Sequence, residues 1–420
     1  MKRLVVVFAI LAALCSSAIT PARAASTFPA VTDGDSYGAI LTLKTSEHTK
    51  VLAGPIAPAS LDCNTKAAND SNTVGSIGLG NTLTSGTVVN TVASMHSHNA
   101  ASIQSVSTVQ GASVLAGTIT AQTIRAEATS SADHNSSSST GDGSSFAGLV
   151  VLGVPVKVSP GPNTMVTLPG IGFAVLNEQF SSSSDPSVTT ITVNMIHVYV
   201  TKQNSFGLRV GTEIIVGHAK SALELLTAPA TVQADSYGLF AKGFAGHLKA
   251  ESGPWAPASI GCGPGNDTDR VLGVTSPVGT TGAIVDKAIG NVTMSGSTAE
   301  AQSDVANVNI LNALITADSI DTFASVQLNG GGGQRAGKTT LVNAKIAGMI
   351  IADNPPPNTR IDIANLGYVI VNEQLGHANG SSASETVNGM HLFVTMSNSY
   401  NLPIGATIVV AHSNAATAGF

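Results

Sequence analysis

Apolar and polar positions alternate with a period of two along most of this chain, and Gly, Pro, Asn and Ser interrupt the alternation at short intervals. That is the pattern of strands joined by turns, because side chains on a strand point alternately to the two faces of a sheet. Helical periodicity is nearly absent; Ser221 to Leu226 is the one short run of helix formers. The expected class is all-β.

The alternation changes phase at defined places. Between Val114 and Ala128, Ile119 and Ala121 share one parity and Ile124 opens the other; between Ile310 and Ala324, Ile315 and Ala317 precede a switch at Ile320. A second change falls at Gly153, after Leu149 and Val151 and before Val154 and Val156, and again at Gly348. Such a change means a bulge, a bend, or passage from one sheet to another. Glycine within a strand marks a kink or a close approach, so Gly153 and Gly348 are read as bends in strands that continue. Bending strands are common where two sheets share a core. Each unit is therefore expected to be a β-sandwich, with a β-barrel or a short β-helix as alternatives.

The breaks recur because the chain is duplicated. Val193-Asn194-Met195-Ile196-His197 returns as Val387-Asn388-Gly389-Met390-His391, Asn177-Glu178-Gln179 as Asn372-Glu373-Gln374, and Gly54-Pro55-Ile56-Ala57-Pro58-Ala59-Ser60 as Gly253-Pro254-Trp255-Ala256-Pro257-Ala258-Ser259. A unit of about 190 residues is too long for a solenoid repeat and long enough for a core of its own. The expected organisation is a signal peptide at 1–24, a β domain at 30–226, a linker at 227–233 and a second β domain at 234–414. Pro169-Gly170 reads as a hairpin turn, with its counterpart between Arg360 and Val371, and Pro162-Asn163-Thr164 and Pro357-Asn358-Thr359 read as turns. The Ser- and Gly-rich segments Asp133 to Ser145 and Asn329 to Thr340 read as loops, since their composition buries too little apolar area to order itself.

The first residues set the compartment. Met1-Lys2-Arg3, the apolar run Leu4 to Leu14 and Ala22-Arg23-Ala24 are the three parts of a secretory signal peptide, cleaved after Ala24. The apolar run is about half the ~20 residues that cross a bilayer. An exported product with no membrane span after cleavage is expected. Charged residues make up only 10% and the net charge is −6, too diffuse to steer nucleic acid, so no nucleic-acid partner is expected. The mature chain keeps Cys63 and Cys262, at equivalent positions of the two copies. An even count in an oxidising compartment favours pairing, which requires the copies to face one another about a local two-fold; two free thiols are the alternative.

Candidate chemistry is sparse. Gly332 to Thr339 matches the phosphate-loop pattern, but a Val/Ile-rich strand follows it and the other copy carries serines there, so no nucleotide cofactor is expected. His197, His391, His218 and His412 form two equivalent pairs. Without acids at ligand spacing they are read as strand residues whose ring N–H meets a neighbouring carbonyl, not as metal ligands. His96 and His98 share a face only if their segment is extended, and copy two has no matching pair. Glu178 and Glu373 are the best general acid/base candidates, but a glycosidase needs a second carboxylate across the bond and neither echo supplies one. Their architectural reading is that Asn, Glu and Gln close a turn by bonding backbone amides. Asp267 and Asp269 are acids of the kind that hold Ca²⁺, but the other EF-hand positions are missing and a solvated turn is expected.

Taken together, Ser-Tyr-Gly (36–38, 236–238), Ser-Ser-Phe-Ala-Gly-Leu (144–149), Pro-Asn-Thr (162–164, 357–359), Leu-Pro-Gly-Ile-Gly-Phe-Ala-Val-Leu-Asn-Glu-Gln (168–179), Thr-Val-Asn-x-x-His-Val (192–198) and Ile-Val-Gly-His-Ala (215–219) resemble the choice-of-anchor P family. The resemblance covers nearly all of the mature chain, twice. Copy two departs at Ile363-Ala364-Asn365-Leu366-Gly367-Tyr368, and no C-terminal anchor is evident. It implies an exported bacterial surface or matrix protein and carries no catalytic residues. The expected function is a non-enzymatic structural or adhesive element whose partners are envelope glycan or other surface proteins. The alternatives are a carbohydrate-binding module or glycan-acting enzyme using Trp255, and a subunit of an extracellular filament.

Overall fold

The computed structural model describes residues 28–46, 49–156, 159–182, 187–226, 230–245 and 248–419. The expected signal peptide lies outside the described residues. Among these described residues every regular element is a strand, and the strands form three open antiparallel sheets of 14, 10 and 9 strands. The open edges replace the barrel and β-helix alternatives with a sandwich.

The 14-stranded sheet belongs to both copies. Each contributes a first strand (Ala30–Ser46, Ala230–Ala245), a seam strand (Thr49–Ala53, Leu248–Trp255), an Asn-Glu-Gln strand (Gly172–Ser182, Gly367–Ala378), a histidine strand (Val188–Val200, Ser382–Val394) and a closing strand (Thr212–Leu225, Thr407–Gly419). The seam strands pair antiparallel with Val51 opposite Ala250, Thr49 opposite Ser252 and Ala53 opposite Leu248. Val51 and Ala250 occupy the same place in their copies, so a local two-fold axis passes through this pair, perpendicular to the sheet. Such an axis keeps faces, and both smaller sheets therefore pack on the same face. One core holds Val88, Ile124, Met195, Ile196 and Val216, and its counterpart holds Ile284, Ile320, Met390 and Val410.

The phase changes have two physical causes. In the smaller sheets, Gly111 and Asn307 take left-handed conformations (φ 59° and 49°), and pairing resumes in the same register on either side. Gly148 and Asn343 do the same on the neighbouring strand (φ 59° and 52°). The sheet is thus creased along a line, and its strands stay within it. Gly153 and Gly348 are different: Leu152-Gly153 and Ala347-Gly348 are two-residue hairpin turns with both φ positive, not bends in continuing strands. The mirror-type turn matches strand twist, which is why φ > 0 is needed twice in succession.

Three other expectations are corrected. Ser221 to Leu226 forms no helix, because Thr212–Leu225 is one strand paired on both sides. Of the expected linker, Ala230 to Gln233 already belong to the first strand of copy two, and that copy's closing strand reaches Gly419. The polar segments expected as loops contain strands Ser137–Thr140 and Gly332–Val342, which add to the sheet edge. Edge pairing uses backbone N–H and C=O groups, so a segment poor in apolar side chains can still be ordered by it.

Candidate functional site

A second crease crosses each half of the joint sheet at Gly38, Gly217, Met195 and Asn177, and at Gly238, Ala411, Gly389 and Asn372. Pairing skips these residues and resumes in register beyond them. Asn177, Gly217, Asn372 and Ala411 adopt φ of 50° to 72°. Gly38 is required by close approach: a Cβ there would lie 2.3 Å from Val88 Cγ1, and one on Gly238 would lie 2.4 Å from Ile284 Cγ2. The crease brings Glu178, Asn194, His218 and Tyr37 into one cross-strand row, and Glu373, Asn388, His412 and Tyr237 into its equivalent. Because Val193 and Ile196 point into the core, alternation puts Asn194 and His197 on the opposite face.

Each row is a closed chain of side-chain hydrogen bonds. Asn194 Nδ2 donates to Glu178 Oε2 (2.9 Å), His197 Nδ1 donates to the same oxygen (2.6 Å), and the Tyr199 hydroxyl donates to Oε1 (2.8 Å). This fixes the Asn194 amide, whose oxygen accepts from His218 Nδ1 (2.6 Å); His218 Nε2 lies 3.1 Å from Asp35 Oδ2. The Tyr37 ring stacks on His218 at 4.2 Å. Copy two repeats the row: Asn388 Nδ2 to Glu373 Oε2 (2.6 Å), His391 Nδ1 to the same oxygen (2.7 Å), His412 Nδ1 to Asn388 Oδ1 (2.6 Å) and His412 Nε2 to Asp235 Oδ2 (3.3 Å). Phe393 stands where copy one has Tyr199, so Glu373 lacks the phenol donor.

Burial opposes ionisation of Glu178, but the hydrogen bonds from His197, Asn194 and Tyr199 outweigh it and hold the carboxyl below its ordinary range. Glu373 is held down likewise by His391 and Asn388, again against burial. Asp235 is lowered by His412 and Asn414 against the same penalty. These carboxylates are ionised acceptors, and the side chains around them are donors. Glu178 and Glu373 are buried, 5% and 6% exposed.

The sequence reading of these residues is therefore corrected in two respects. Asn177 and Gln179 do close the turn: Asn177 Nδ2 donates to Pro160 O, Gln179 Nε2 donates to Asn177 Oδ1, and Asn163 Oδ1 accepts from Gln179 N. Glu178 instead takes side-chain donors, and His197 and His391 meet a carboxylate where a carbonyl was expected, while His218 and His412 meet the side-chain carbonyl of an asparagine. Tyr199, Asp35 and Asp235 were missed. For the two aspartates the available signal was that each stands immediately before the recurring Ser-Tyr-Gly, at 36–38 and 236–238.

The other candidates fall elsewhere. Cys63 and Cys262 are joined by a disulfide with Cα atoms 5.4 Å apart, beside the buried Val31 and Leu226. Gly332 to Thr339 lies within strand Gly332–Val342, and its Arg335 pairs with the buried Glu385. His96 ends strand Val88–His96 and lies 3.3 Å from Thr32 Oγ1, with His98 beyond the strand. Asp267 and Asp269 sit in strand Gly265–Val271, not a turn; Asp267 accepts from the backbone of Ser259 and Thr268, both at 2.9 Å. Asp269 is directly opposite the fully buried Asp286. Burial, reinforced by Asp304 and Asp269 and partly offset by Ser303, pushes the Asp286 carboxyl up to about 8. Trp255 packs against the copy-two core. Among the described residues, no group of three His, Cys, Asp or Glu is placed to hold a metal, and no helix is long and apolar enough to cross a membrane.

No protein-family model and no curated protein matches the chain. Among solved structures, a deltaS2 mutant of the monoaromatic hydrocarbon channel TodX aligns at 11% identity over 94% of this chain and 91% of that one, with a TM-score of 0.15. The toluene transporter TodX of P. putida aligns at 10% identity over 93% and 90%, with a TM-score of 0.14. At those scores the likeness carries no argument about this chain.

Proposed function

We propose that this chain is an exported, non-enzymatic structural or adhesive protein of the cell surface, of the choice-of-anchor P kind. The observation that supports this reading most is the fate of the repeated polar residues. Glu178, Asn194 and His218, and their equivalents Glu373, Asn388 and His412, are spent on one another at the same crease in both halves. A buried network whose carboxylates are met by the same asparagine and histidine donors in both copies has the character of a fixture. A rigid sheet clamped by a disulfide suits a part that bears load outside the cell, where thiols stay oxidised. The test is to mix purified mature chain with isolated cell envelopes and with a panel of glycans. Co-sedimentation with envelopes, undiminished in a folded Glu178→Gln variant, is expected; glycan hydrolysis that this variant loses would contradict the proposal.

One observation favours a filament as the second reading. The joint sheet ends on both sides in strands with a single partner, Thr164–Leu168 and Thr359–Ile363. Free edges are templates for strand addition. Electron microscopy of secreted material separates the two readings.

A further inference from the structure

The local two-fold is broken at one functionally suggestive place. On the core-facing side of the seam, Leu43, Val51, Ala250 and Gly243 form one cross-strand row. The axis relates Val51 to Ala250 and Leu43 to Gly243; one position earlier on the same face it relates Leu41 to Ala241. Copy one therefore has two leucines where copy two has alanine and glycine. On the copy-two side lies an open cavity of about 290 Å³, walled by Val51, Ala250, Ala241, Val278, Leu402 and Ile408 among others. Lys242 and Glu251 reach its lining, but they are directly opposite one another on the alternate face, where Lys50 and Lys249 pair with Glu251. No charged group is turned into the cavity by the strands that build it.

We propose that this seam cavity binds an uncharged aliphatic chain. Its volume has room for about ten water-sized groups, and water there would find few hydrogen-bond partners; apolar cavities of about half this size take up small hydrocarbons. The class of occupant is indicated by the molecule itself, since Leu41 and Leu43 supply aliphatic side chains at the symmetry-related positions. The cavity also continues the established seam, so an occupant touches both copies through Val51 and Ala250. Two sources carry such a chain, a free aliphatic molecule and a membrane lipid, and they are separable.

The experiment is titration calorimetry of the purified chain with 1-octanol, alongside flotation with phosphatidylcholine vesicles. Wild type is expected to bind 1-octanol saturably with one site per chain. Ala241→Leu, which restores the copy-one residue, is expected to weaken binding at least tenfold. Gly243→Leu is a second filling variant, although its Cβ would come within 2.9 Å of Pro403 Cγ and the ring must shift. Thermal melts establish that each variant is folded. Exchange of the highly exposed Leu272 for Ser is expected to leave binding unchanged. Flotation that Ala241→Leu abolishes, with no binding of 1-octanol, would assign the chain to lipid. No saturable binding to either probe would overturn the proposal, as would binding that survives Ala241→Leu or disappears with Leu272→Ser.

Discussion

Asp286 and Asn90 occupy the same position in the two copies, and the difference between them is chemical. In copy one, Asn90 Nδ2 donates to the carbonyl of Ala57 (2.6 Å), and its cross-strand neighbour is Asn72. In copy two both amides are carboxyls, the fully buried Asp286 and the half-buried Asp269 directly opposite it. The unfolded chain releases the Asp286 proton near 3.8, whereas the folded chain keeps it to about 8. The folded state binds more protons between those values, so stability falls as pH rises through them and the loss is complete above about 8. Asp286→Asn is expected to stabilise the protein at pH 9 by a few kcal/mol relative to wild type, with a smaller effect at pH 4, as read by chemical denaturation. The crease carboxylates act in the opposite sense. Glu178 and Glu373 have lowered folded values, so their contribution is present above the ordinary 4.5 and is lost as pH falls through the folded value. Glu178→Gln is expected to cost about 2 kcal/mol at pH 7 and to flatten the acid limb of the stability curve.

Creases are the feature that distinguishes these sheets at the scale of elements, and the two copies solve the same bend with different residues. Gly111 in one corresponds to Asn307 in the other, both left-handed. Asn tolerates that region far better than a β-branched residue. Gly111→Asn is expected to change stability by no more than about 0.5 kcal/mol, and Gly111→Val to cost about 2 kcal/mol or more, in thermal melts. The phase changes were legible in the sequence because apolar parity reports which face a residue occupies, and duplication separated design from accident. The choice between bend and turn was not legible at Gly153: parity flips in both cases, and only pairing of Val151 with Val154 distinguishes them. The strand Gly332–Val342 was hidden for another reason, since its order comes from backbone bonds to Ile315–Asn329. The Glu178 network was half visible. Its members recur in sequence, but the cross-strand pairing that sets Glu178 opposite Asn194, beside the left-handed Asn177, is a tertiary feature.

At the scale of the molecule, one 14-stranded sheet is shared by both copies, a smaller sheet packs on each half, and the seam joins the halves. Five cross-strand pairs and one disulfide hold the halves in register there, together with Lys50 and Glu251 at 3.1 Å. The cysteines are 199 residues apart, so the bond removes a large loop entropy from the unfolded chain. Replacing both with serine is expected to cost roughly 3–5 kcal/mol, and to let the two halves unfold in separate steps by calorimetry. The equivalence of the two cysteines also gives the account its most direct test. Residues at the same position of two copies reach bonding distance only when the copies face one another about a common axis. A non-reducing peptide map of the monomer should yield one cross-linked pair, the peptide of Cys63 joined to that of Cys262. Two alkylatable thiols, or pairing only between separate chains, would contradict the two-fold arrangement.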